Sequence, residues 1–230
     1  MSKLDELIAV ARKLRGEGGC PWDAEQTHNS LTKYLIEESY ELIEAIESGV
    51  REQVLEELGD VLYQVLFHAD LAQSGSLGEP FDIQDVAANS IAKMTGRHPH
   101  VFGTDDELAK YKAETGDQVM VHWDAHKAKE KPERTSSVDG IPKSLPALAL
   151  ADKLIGKAEK VGLIDSSGSS AFNFQDEEEL GGLLLALVLA ARAQGLDAER
   201  ALRESARELE VEIRAAELSD DYDAGVISAQ

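Results

Sequence analysis

The sequence predicts an all-α protein. Hydrophobic residues make up 43% of the 230 residues, which is ample for a core, whereas aromatic residues make up only 5%. Apolar residues recur at intervals of three and four positions, and residues with high helix propensity dominate. No stretch shows the sustained apolar–polar alternation that is typical of a half-buried strand.

The first helices are predicted in a simple order. Residues 3–15 form an amphipathic helix that ends at the helix-breaking segment GEGG. The segment CPWDAEQTHNS is predicted as a turn and a helix start, with Asn29 or Ser30 as the N-cap. Helices 31–48 and 51–73 follow, and their short connection predicts antiparallel neighbours.

The rest of the chain is predicted to contain more helices and one linker. Residues 82–96 form a helix before the irregular segment RHPHVFGT, and residues 105–130 are mostly helical. Segment 131–146 is rich in proline, serine and charge, which is typical of a linker. A second helical unit spans 147–216, interrupted by IDSSGSSAFNF, and residues 217–230 form a flexible tail.

An internal repeat supports a division into two related units. EELGDVLYQVLFHADLAQ at 56–73 aligns without gaps with EELGGLLLALVLAARAQG at 178–195. The chain is therefore predicted to hold one helical domain at 1–130 and a related repeat at 147–216.

Charge and cysteine content restrict the function. The formal charge of −21 disfavours nucleic acids and anionic membranes as partners, because both repel an acidic protein. The single cysteine, Cys20, excludes an internal disulfide. The N-terminus lacks the apolar core of a signal peptide, and the longest uncharged run, 180–191, is shorter than the about 20 residues that span a bilayer. A cytoplasmic protein is predicted.

An acid interrupts the main apolar stripe of the helix that contains IEESYELIEAI. At about 100° per residue, Glu38 falls inside a stripe about 90° wide. The apolar members of this stripe are Leu31, Leu35, Leu42 and Ala45. A second apolar face, formed by Ile36, Tyr40 and Ile43, predicts that the helix is covered on two sides. A carboxylate in such a place must neutralise, pair or bind a cation.

Two pairs of acids favour the cation. Glu38 and Glu41 are spaced i, i+3, as are Glu57 and Asp60, so each pair shares a helix face. In an antiparallel hairpin the four carboxylates can converge, and they cannot all stay ionised without a cation. Ligands that are all oxygen suit Mg²⁺ first and Mn²⁺ second.

A carboxylate-bridged di-iron or metal-storage bundle is the first alternative. Such a bundle needs a Glu-x-x-His motif from each of two helices, and EQTH at 25–28 supplies only one. His68 follows Glu57, Asp60 and Gln64 on one stripe and is expected beside the acids rather than as a ligand.

Candidate phosphate-binding residues lie further along the chain. Lys93 and Arg97 are spaced i, i+4 near a helix end, and Trp123 and Lys127 repeat that spacing. Basic residues near a helix C-terminus also complement the dipole, so each pair alone is ordinary. A triphosphate needs cations, and a tryptophan face can stack on a base or sugar. No glycine-rich phosphate-binding loop is present.

These residues resemble a known family. The segments GCPWDAEQTHNSL, IEESYELIEAI, EELGDVLYQVLFHADLAQ, RHPHVFG, HWDAHK and DGIPKSLPAL are similar, in this order, to the bacterial MazG nucleoside triphosphate pyrophosphohydrolases. The resemblance covers almost all of residues 3–150. Its central signature, EExxE followed by ExxD, is complete. The acids of that signature are Glu37, Glu38, Glu41, Glu57 and Asp60.

The resemblance implies an all-α helical bundle that works as a homodimer and hydrolyses a nucleoside triphosphate to the monophosphate and pyrophosphate. It implies that Mg²⁺ is held by Glu38, Glu41, Glu57 and Asp60. It implies that Glu37 assists by orienting water or completing the acidic cluster. It further implies that Lys93, Arg97 and Lys127 contact the triphosphate and that Trp123 contacts the nucleoside.

The second repeat departs from the signature. Gly182 stands where the first copy has Asp60, and Glu208 and Glu212 align with Lys93 and Arg97. The repeat at 147–216 is therefore predicted to be non-catalytic. A catalytically silent helical adaptor is the second alternative for the whole chain, but an adaptor is expected to lose at least one of the five acids, and all five are present.

Overall fold

A computed structural model describes residues 2–116, 118–119, 130–165 and 172–227, the last nine of them as backbone alone. Every regular element in these residues is a helix, which confirms the predicted all-α class. The chain divides into two compact units, Met1–His126 and Lys127–Gln230.

The helices of the first unit follow the predicted order. They are α1 (Lys3–Arg15), α2 (Pro21–Glu25), α3 (His28–Ser48), α4 (Arg51–Gln73), α5 (Ile83–Arg97), α6 (Pro99–Phe102) and α7 (Asp105–Lys110). The predicted start of α3 was wrong, because Thr27 and not Asn29 or Ser30 is the N-cap. The Thr27 hydroxyl accepts a hydrogen bond from the Ser30 amide, and the Ser30 hydroxyl accepts one from the Thr27 amide. Because of this capping box, the helix begins before the first apolar residue of its periodic pattern.

α3 and α4 form the antiparallel hairpin that the sequence predicts. Gly49 closes the turn between them with a φ of 68°, a left-handed conformation that favours glycine. The buried core of the hairpin contains Leu31, Phe67 and Leu71, so it lies where α3 begins and α4 ends. α1 packs against the same end of α4, where Arg15 pairs with Asp70. The middle of the hairpin is left for polar side chains.

Two segments after α5 differ from their predictions. Pro99 begins the one-turn helix α6 inside the segment RHPHVFGT that was predicted as irregular, since a proline fits the first position of a helix. The prediction that residues 105–130 are mostly helical was wrong for residues 111–115, because α7 ends at Lys110. Residues 120–129 lie outside the described part of the chain.

The second unit contains α8 (Ala147–Lys160), α9 (Glu177–Ala193) and α10 (Ala198–Ile227). α8 packs against α10 around a buried cluster that includes Leu154 and Ile213. Val138, from the segment predicted as a linker, belongs to this cluster and is 2% exposed. The neighbouring turn is attached to α10 because Arg214 donates to Asp139 at 2.8 Å. α10 itself continues into the residues predicted as a tail.

None of the described helices is alone long and apolar enough to cross a membrane. α9 and the part of α10 up to Leu218 reach the required length and composition only as a pair, and that pair is bent by 106°.

Candidate metal centre and active site

Three predicted ligands meet in the middle of the α3–α4 hairpin. Glu38 and Glu41 lie one turn apart on α3, and Glu57 faces them from α4. Each offers a carboxylate oxygen, and these three oxygens all lie within 4.8 Å of one another. The antiparallel packing of the two helices therefore brings the pair on α3 together with one acid of the pair on α4.

Two acids of the cluster, Glu38 and Glu57, have raised pKa values. The pKa of Glu38 is raised first by burial and then by the charges of Asp60 and Glu41. The pKa of Glu57 is raised first by burial and then by the charges of Glu41 and Asp60. Like charges held this close disfavour ionisation, and an added cation removes that penalty.

Glu57 has a buried oxygen with no hydrogen-bond partner among the described residues. Oε2 of Glu57 is buried and accepts no hydrogen bond from any described residue. A buried carboxylate oxygen without a donor is costly unless a cation or water satisfies it. The oxygen-only donor set and this unsatisfied atom fit a hard divalent cation.

The other two predicted acids stand at the edge of the cluster. Asp60 is exposed and is not one of the three mutually close acids, yet its charge acts on both Glu38 and Glu57. Glu37 is also exposed, and it makes a smaller contribution to the raised pKa of Glu38. The structure thus groups three of the five acids and places two beside them.

The surroundings of Glu38 are more open than the sequence indicates. Glu38 is half-buried, not fully buried, in a single chain. The second apolar face of α3, predicted to be covered, is open as well: Ile36 is 58%, Tyr40 57% and Ile43 48% exposed. The prediction that α3 is covered on two sides is therefore not met within one chain.

Gln64 is a contact that the sequence reasoning did not assign. Its side chain lies on α4, is 7% exposed, and donates from Nε2 to Oε1 of Glu38 at 3.5 Å. The Oε1 atom of Gln64 is buried without a partner among the described residues. The sequence could have indicated this contact, because Gln64 lies on the same stripe of α4 as Glu57 and Asp60. Gln64 thus contacts the Glu38 carboxylate from the neighbouring helix.

His68 contacts another histidine instead of the acids. Its Nδ1 lies 2.8 Å from Nδ1 of His28, and the two rings are stacked with centroids 5.0 Å apart. Nε2 of His28 lies 3.0 Å from the Ser76 hydroxyl. Burial, followed by the proximity of His28, lowers the pKa of His68. The histidine of EQTH therefore joins the start of α3 to the end of α4.

The segment CPWD has a structural role. Asp23 is 7% exposed and lies beside Tyr63 of α4. The pKa of Tyr63 is raised by burial first and then by the Asp23 carboxylate. Trp22 meets Tyr34 of α3 edge to face, with ring centroids 5.6 Å apart. α2 is in this way attached to both helices that carry the acids.

The candidate phosphate-binding residues are only partly described. Lys93 and Arg97 are half-buried on the last turns of α5, one turn apart, and α5 packs against α4. Trp123 and Lys127 lie outside the described residues.

The central part of the chain matches one known protein family. Residues 26–102 match the family described as the MazG nucleotide pyrophosphohydrolase domain. This matched range contains α3, α4 and α5, and thus every acid of the cluster.

Relatives extend the similarity to most of the chain. The nucleoside triphosphate pyrophosphohydrolase/pyrophosphatase MazG of Thermotoga maritima is 39% identical, over 88% of this chain and 81% of its own. The nucleoside triphosphate pyrophosphohydrolase of Escherichia coli is 34% identical, over 94% of this chain and 88% of its own. An uncharacterized 26.1 kDa protein of the blaB 3′ region of Streptomyces cacaoi is 44% identical, over 94% of this chain and 83% of its own. With the acid cluster in place and similarity of this extent, the chain belongs to the MazG family of nucleotide pyrophosphohydrolases.

Proposed function

We propose that this protein hydrolyses nucleoside triphosphates to the nucleoside monophosphate and pyrophosphate. The observation that carries the proposal is the group of Glu38, Glu41 and Glu57, whose carboxylate oxygens lie within 4.8 Å of one another. Such a group binds a cation that can in turn bind an anionic substrate. The names of the relatives from Thermotoga maritima and Escherichia coli supply the reaction class.

The cation is Mg²⁺, and Mn²⁺ can replace it. Its ligands are Glu38, Glu41 and Glu57, with Asp60 as the fourth. When bound, a divalent cation neutralises phosphate charge and makes water more acidic. Carboxylate ligands suit both ions, and the raised pKa values of Glu38 and Glu57 support a cation at this place, because it would offset their crowded charges.

The remaining residues act on the water and on the phosphates. Glu37 is exposed next to the cluster. We assign it the role of the base that accepts a proton from the attacking water, since a carboxylate that holds no metal is free to do so. Lys93 and Arg97 bind the triphosphate, together with Lys127. Trp123 stacks on the nucleoside. Gln64 keeps Glu38 directed at the cation.

Catalysis belongs to residues 1–130, and the repeat at 147–216 is non-catalytic. The reaction takes place in the cytoplasm. The active protein is a homodimer in which a second copy covers the open face of α3. The exposure of Ile36, Tyr40 and Ile43 supports this contact, because apolar side chains in one stripe gain from leaving water.

The test is a product analysis with purified protein. A panel of nucleoside triphosphates is incubated with Mg²⁺, with Mn²⁺ and with a chelator, and the monophosphate and pyrophosphate are measured. Equimolar monophosphate and pyrophosphate, formed only with a divalent cation, is the expected result. Release of nucleoside diphosphate and orthophosphate would contradict the proposed reaction. Activity in the presence of chelator would contradict the need for a divalent cation.

A second measurement identifies the phosphorus that is attacked. Hydrolysis in ¹⁸O-labelled water places the label in the monophosphate if water attacks the α-phosphorus and in pyrophosphate if it attacks the β-phosphorus.

The Glu57→Ala variant of the full-length chain is the control for the domain assignment. It should retain no activity, because the second repeat contributes none.

A further inference from the structure

A row of polar side chains extends from the acid cluster to the far end of the α3–α4 hairpin. Gln64 donates from Nε2 to Oε1 of Glu38 at 3.5 Å. One turn further along α4 lies His68, whose Nδ1 is 2.8 Å from Nδ1 of His28. Nε2 of His28 lies 3.0 Å from the Ser76 hydroxyl, just after the end of α4. The step from Gln64 to His68 is the one place in this row where no hydrogen bond joins the described side chains.

Two buried atoms without a partner lie on either side of that step. Oε1 of Gln64 and Nε2 of His68 are both buried, and neither has a hydrogen-bond partner among the described residues. The two side chains are spaced i, i+4 on α4, so they share a face of the helix and can touch. An amide oxygen is an acceptor, and an imidazole nitrogen that carries hydrogen is a donor. The two atoms are therefore complementary when His68 carries its hydrogen on Nε2.

The carboxylate of Glu38 fixes the direction of every bond in the row. An ionised carboxylate only accepts, so Gln64 turns its amide nitrogen toward Glu38 and its oxygen away. His68 then donates from Nε2 to this oxygen, and a neutral ring with hydrogen on Nε2 accepts at Nδ1. His28 consequently donates from Nδ1 and accepts at Nε2, where the Ser76 hydroxyl supplies the hydrogen.

The opposite direction leaves more groups unpaired. The Ser76 hydroxyl also lies 2.8 Å from the carbonyl oxygen of Leu71, which is a second acceptor for its hydrogen. That carbonyl oxygen already accepts from the Ser74 hydroxyl at 2.6 Å and from the Ser74 amide at 3.2 Å. If Ser76 donated to it as well, each histidine would carry its hydrogen on the other nitrogen. Nε2 of His68 would then be a second buried acceptor beside Oε1 of Gln64, and unpaired buried acceptors are costly.

The arrangement requires both rings to be neutral. Burial, followed by the proximity of His28, lowers the pKa of His68 from its ordinary value of 6.5. A lowered pKa keeps the His68 ring neutral at and above pH 7. Hydrogen bonds in a row polarise one another, so donors that all point toward Glu38 strengthen the contact with its carboxylate.

We propose that four side chains form a hydrogen-bond relay directed at Glu38, and that His68 is thereby a positioning residue for the acid cluster. The relay consists, in order, of Ser76, His28, His68 and Gln64. It holds the Glu38 carboxylate in one orientation, as the hydrogen-bond partners of metal ligands do in general. The positioning role rests on the proposed metal site, whereas the direction of the relay does not.

The hydrogen positions on the two rings are the direct test of the relay. Full-length protein labelled with ¹⁵N in its histidines is studied by NMR at pH 8 in chelator, and the H28Q and H68N variants assign the two rings. Hydrogen should be found on Nε2 of His68 and on Nδ1 of His28, with the other nitrogen of each ring bare. Hydrogen on Nδ1 of His68, or on both nitrogens of either ring, would overturn the relay.

Two replacements of His68 separate positioning from a structural role. Glutamine can place its amide nitrogen near the position of Nε2, and asparagine can place its amide oxygen near that of Nδ1. H68Q therefore keeps the donor to Gln64 and loses the contact with His28, whereas H68N does the reverse. The measurement is the Mg²⁺ concentration that gives half of the cation-induced shift in the midpoint of urea unfolding. H68N should raise it by about tenfold and H68Q by no more than about threefold.

Stability in chelator is the control for this pair. Each variant loses one hydrogen bond, so the unfolding midpoints in chelator should be lowered by similar amounts. A structural role for His68 would affect Mg²⁺ equally in H68Q and H68N, and equal effects would overturn the positioning role. A wild type that does not respond to Mg²⁺ would overturn the metal site and the positioning role with it, while the ring hydrogens still decide the relay.

Ser76 and Ser74 provide a matched pair at the far end of the relay. Both hydroxyls lie within hydrogen-bonding distance of the Leu71 carbonyl oxygen, and Ser76 also reaches His28. S76A removes the first donor, so part of the His28 rings should carry hydrogen on Nε2, and the Mg²⁺ requirement should rise by less than in H68N. S74A should change neither quantity. Equal effects of S76A and S74A, or no effect of S76A, would overturn the direction of the relay.

Discussion

α4 and α9 contain the two copies of the internal repeat, but an equivalent acid has different surroundings in each. Glu57 lies inside α4, where its Oε2 is buried without a partner. Its counterpart Glu179 lies in the first turn of α9, where Oε2 accepts a hydrogen bond from the Gln175 amide at 3.0 Å. The helix starts closer to the acid in the second copy, so the Glu179 carboxylate meets the backbone just before the helix, and Asp176 is the N-cap.

The acids of the two units also differ in their pKa shifts. In the first unit the pKa values of Glu38 and Glu57 are raised, since burial and other acids surround them. In the second unit a hydrogen bond from Arg214 lowers the pKa of Asp139. Burial raises the pKa of Glu217, but hydrogen bonds from Ser136 and Ser137 lower it by more. The turn around Asp139 and Glu217 supplies donors to its acids, whereas Oε2 of Glu57 has no donor among the described residues.

The largest effect is expected from replacing Glu57, with its counterpart Glu179 in the second repeat as the control. Glu57→Gln should lower kcat/KM by about 100-fold or more, because it removes a ligand for the cation that stabilises the transition state. Glu179→Gln, the matched change in the second repeat, should leave kcat/KM unchanged. Steady-state kinetics with Mg²⁺ measures both. Equal losses in the two variants would mean that the repeats share catalysis.

A smaller effect is expected at the phosphate-binding residues. Lys93→Ala should raise KM for every nucleoside triphosphate by about tenfold, since it removes a charge-assisted contact to phosphate. Binding of Mg²⁺ to the free protein should be unchanged, because the role proposed for Lys93 is a contact with phosphate and not with the metal. Lys153→Ala, an exposed lysine of α8, is the control. An unchanged KM for Lys93→Ala would remove this residue from the site.

The raised pKa values predict how stability depends on pH in the metal-free protein. Below the ordinary value of 4.5 Glu38 and Glu57 are protonated whether the chain is folded or not. As pH rises above 4.5, the unfolded chain loses these protons first, so the free energy of unfolding falls until the raised folded values are passed. Glu57→Gln should make this decline shallower and raise the midpoint of urea unfolding at pH 7 in chelator.

The matched experiment adds the cation. Mg²⁺ should raise the unfolding midpoint of the wild type at pH 7 and should have much less effect on Glu57→Gln, because the variant lacks a ligand. If chelator and Mg²⁺ gave the same midpoint for the wild type, the acid cluster would not be a metal site.

The smallest effect is expected in the second unit. Glu217→Gln should lower the free energy of unfolding by about 1 kcal/mol, because the Glu217 carboxylate accepts hydrogen bonds from the Ser136 hydroxyl and the Ser137 amide. The stabilisation by Glu217 is present above its unfolded pKa and is lost as pH falls through the lower folded pKa. Activity should not change. A loss of activity without a loss of stability would connect this turn to catalysis.

The sequence by itself determined the longer helices of the first unit and the spacing of the acids. Apolar periodicity and the short connection at Gly49 predicted the α3–α4 hairpin, since both signals act over a few residues. The i, i+3 spacing of Glu38 with Glu41 was enough to place both on one face. The order of the motifs indicated the family, and the matched relatives confirm it.

Only the tertiary structure decided which groups meet. It placed Glu57 within reach of Glu38 and Glu41 but left Asp60 at the edge, and it joined His68 to His28. These contacts depend on the register between helices, which is set by packing around residues far apart in the chain. Local patterns carry no information on that register, because each helix satisfies its own backbone whichever neighbour it meets.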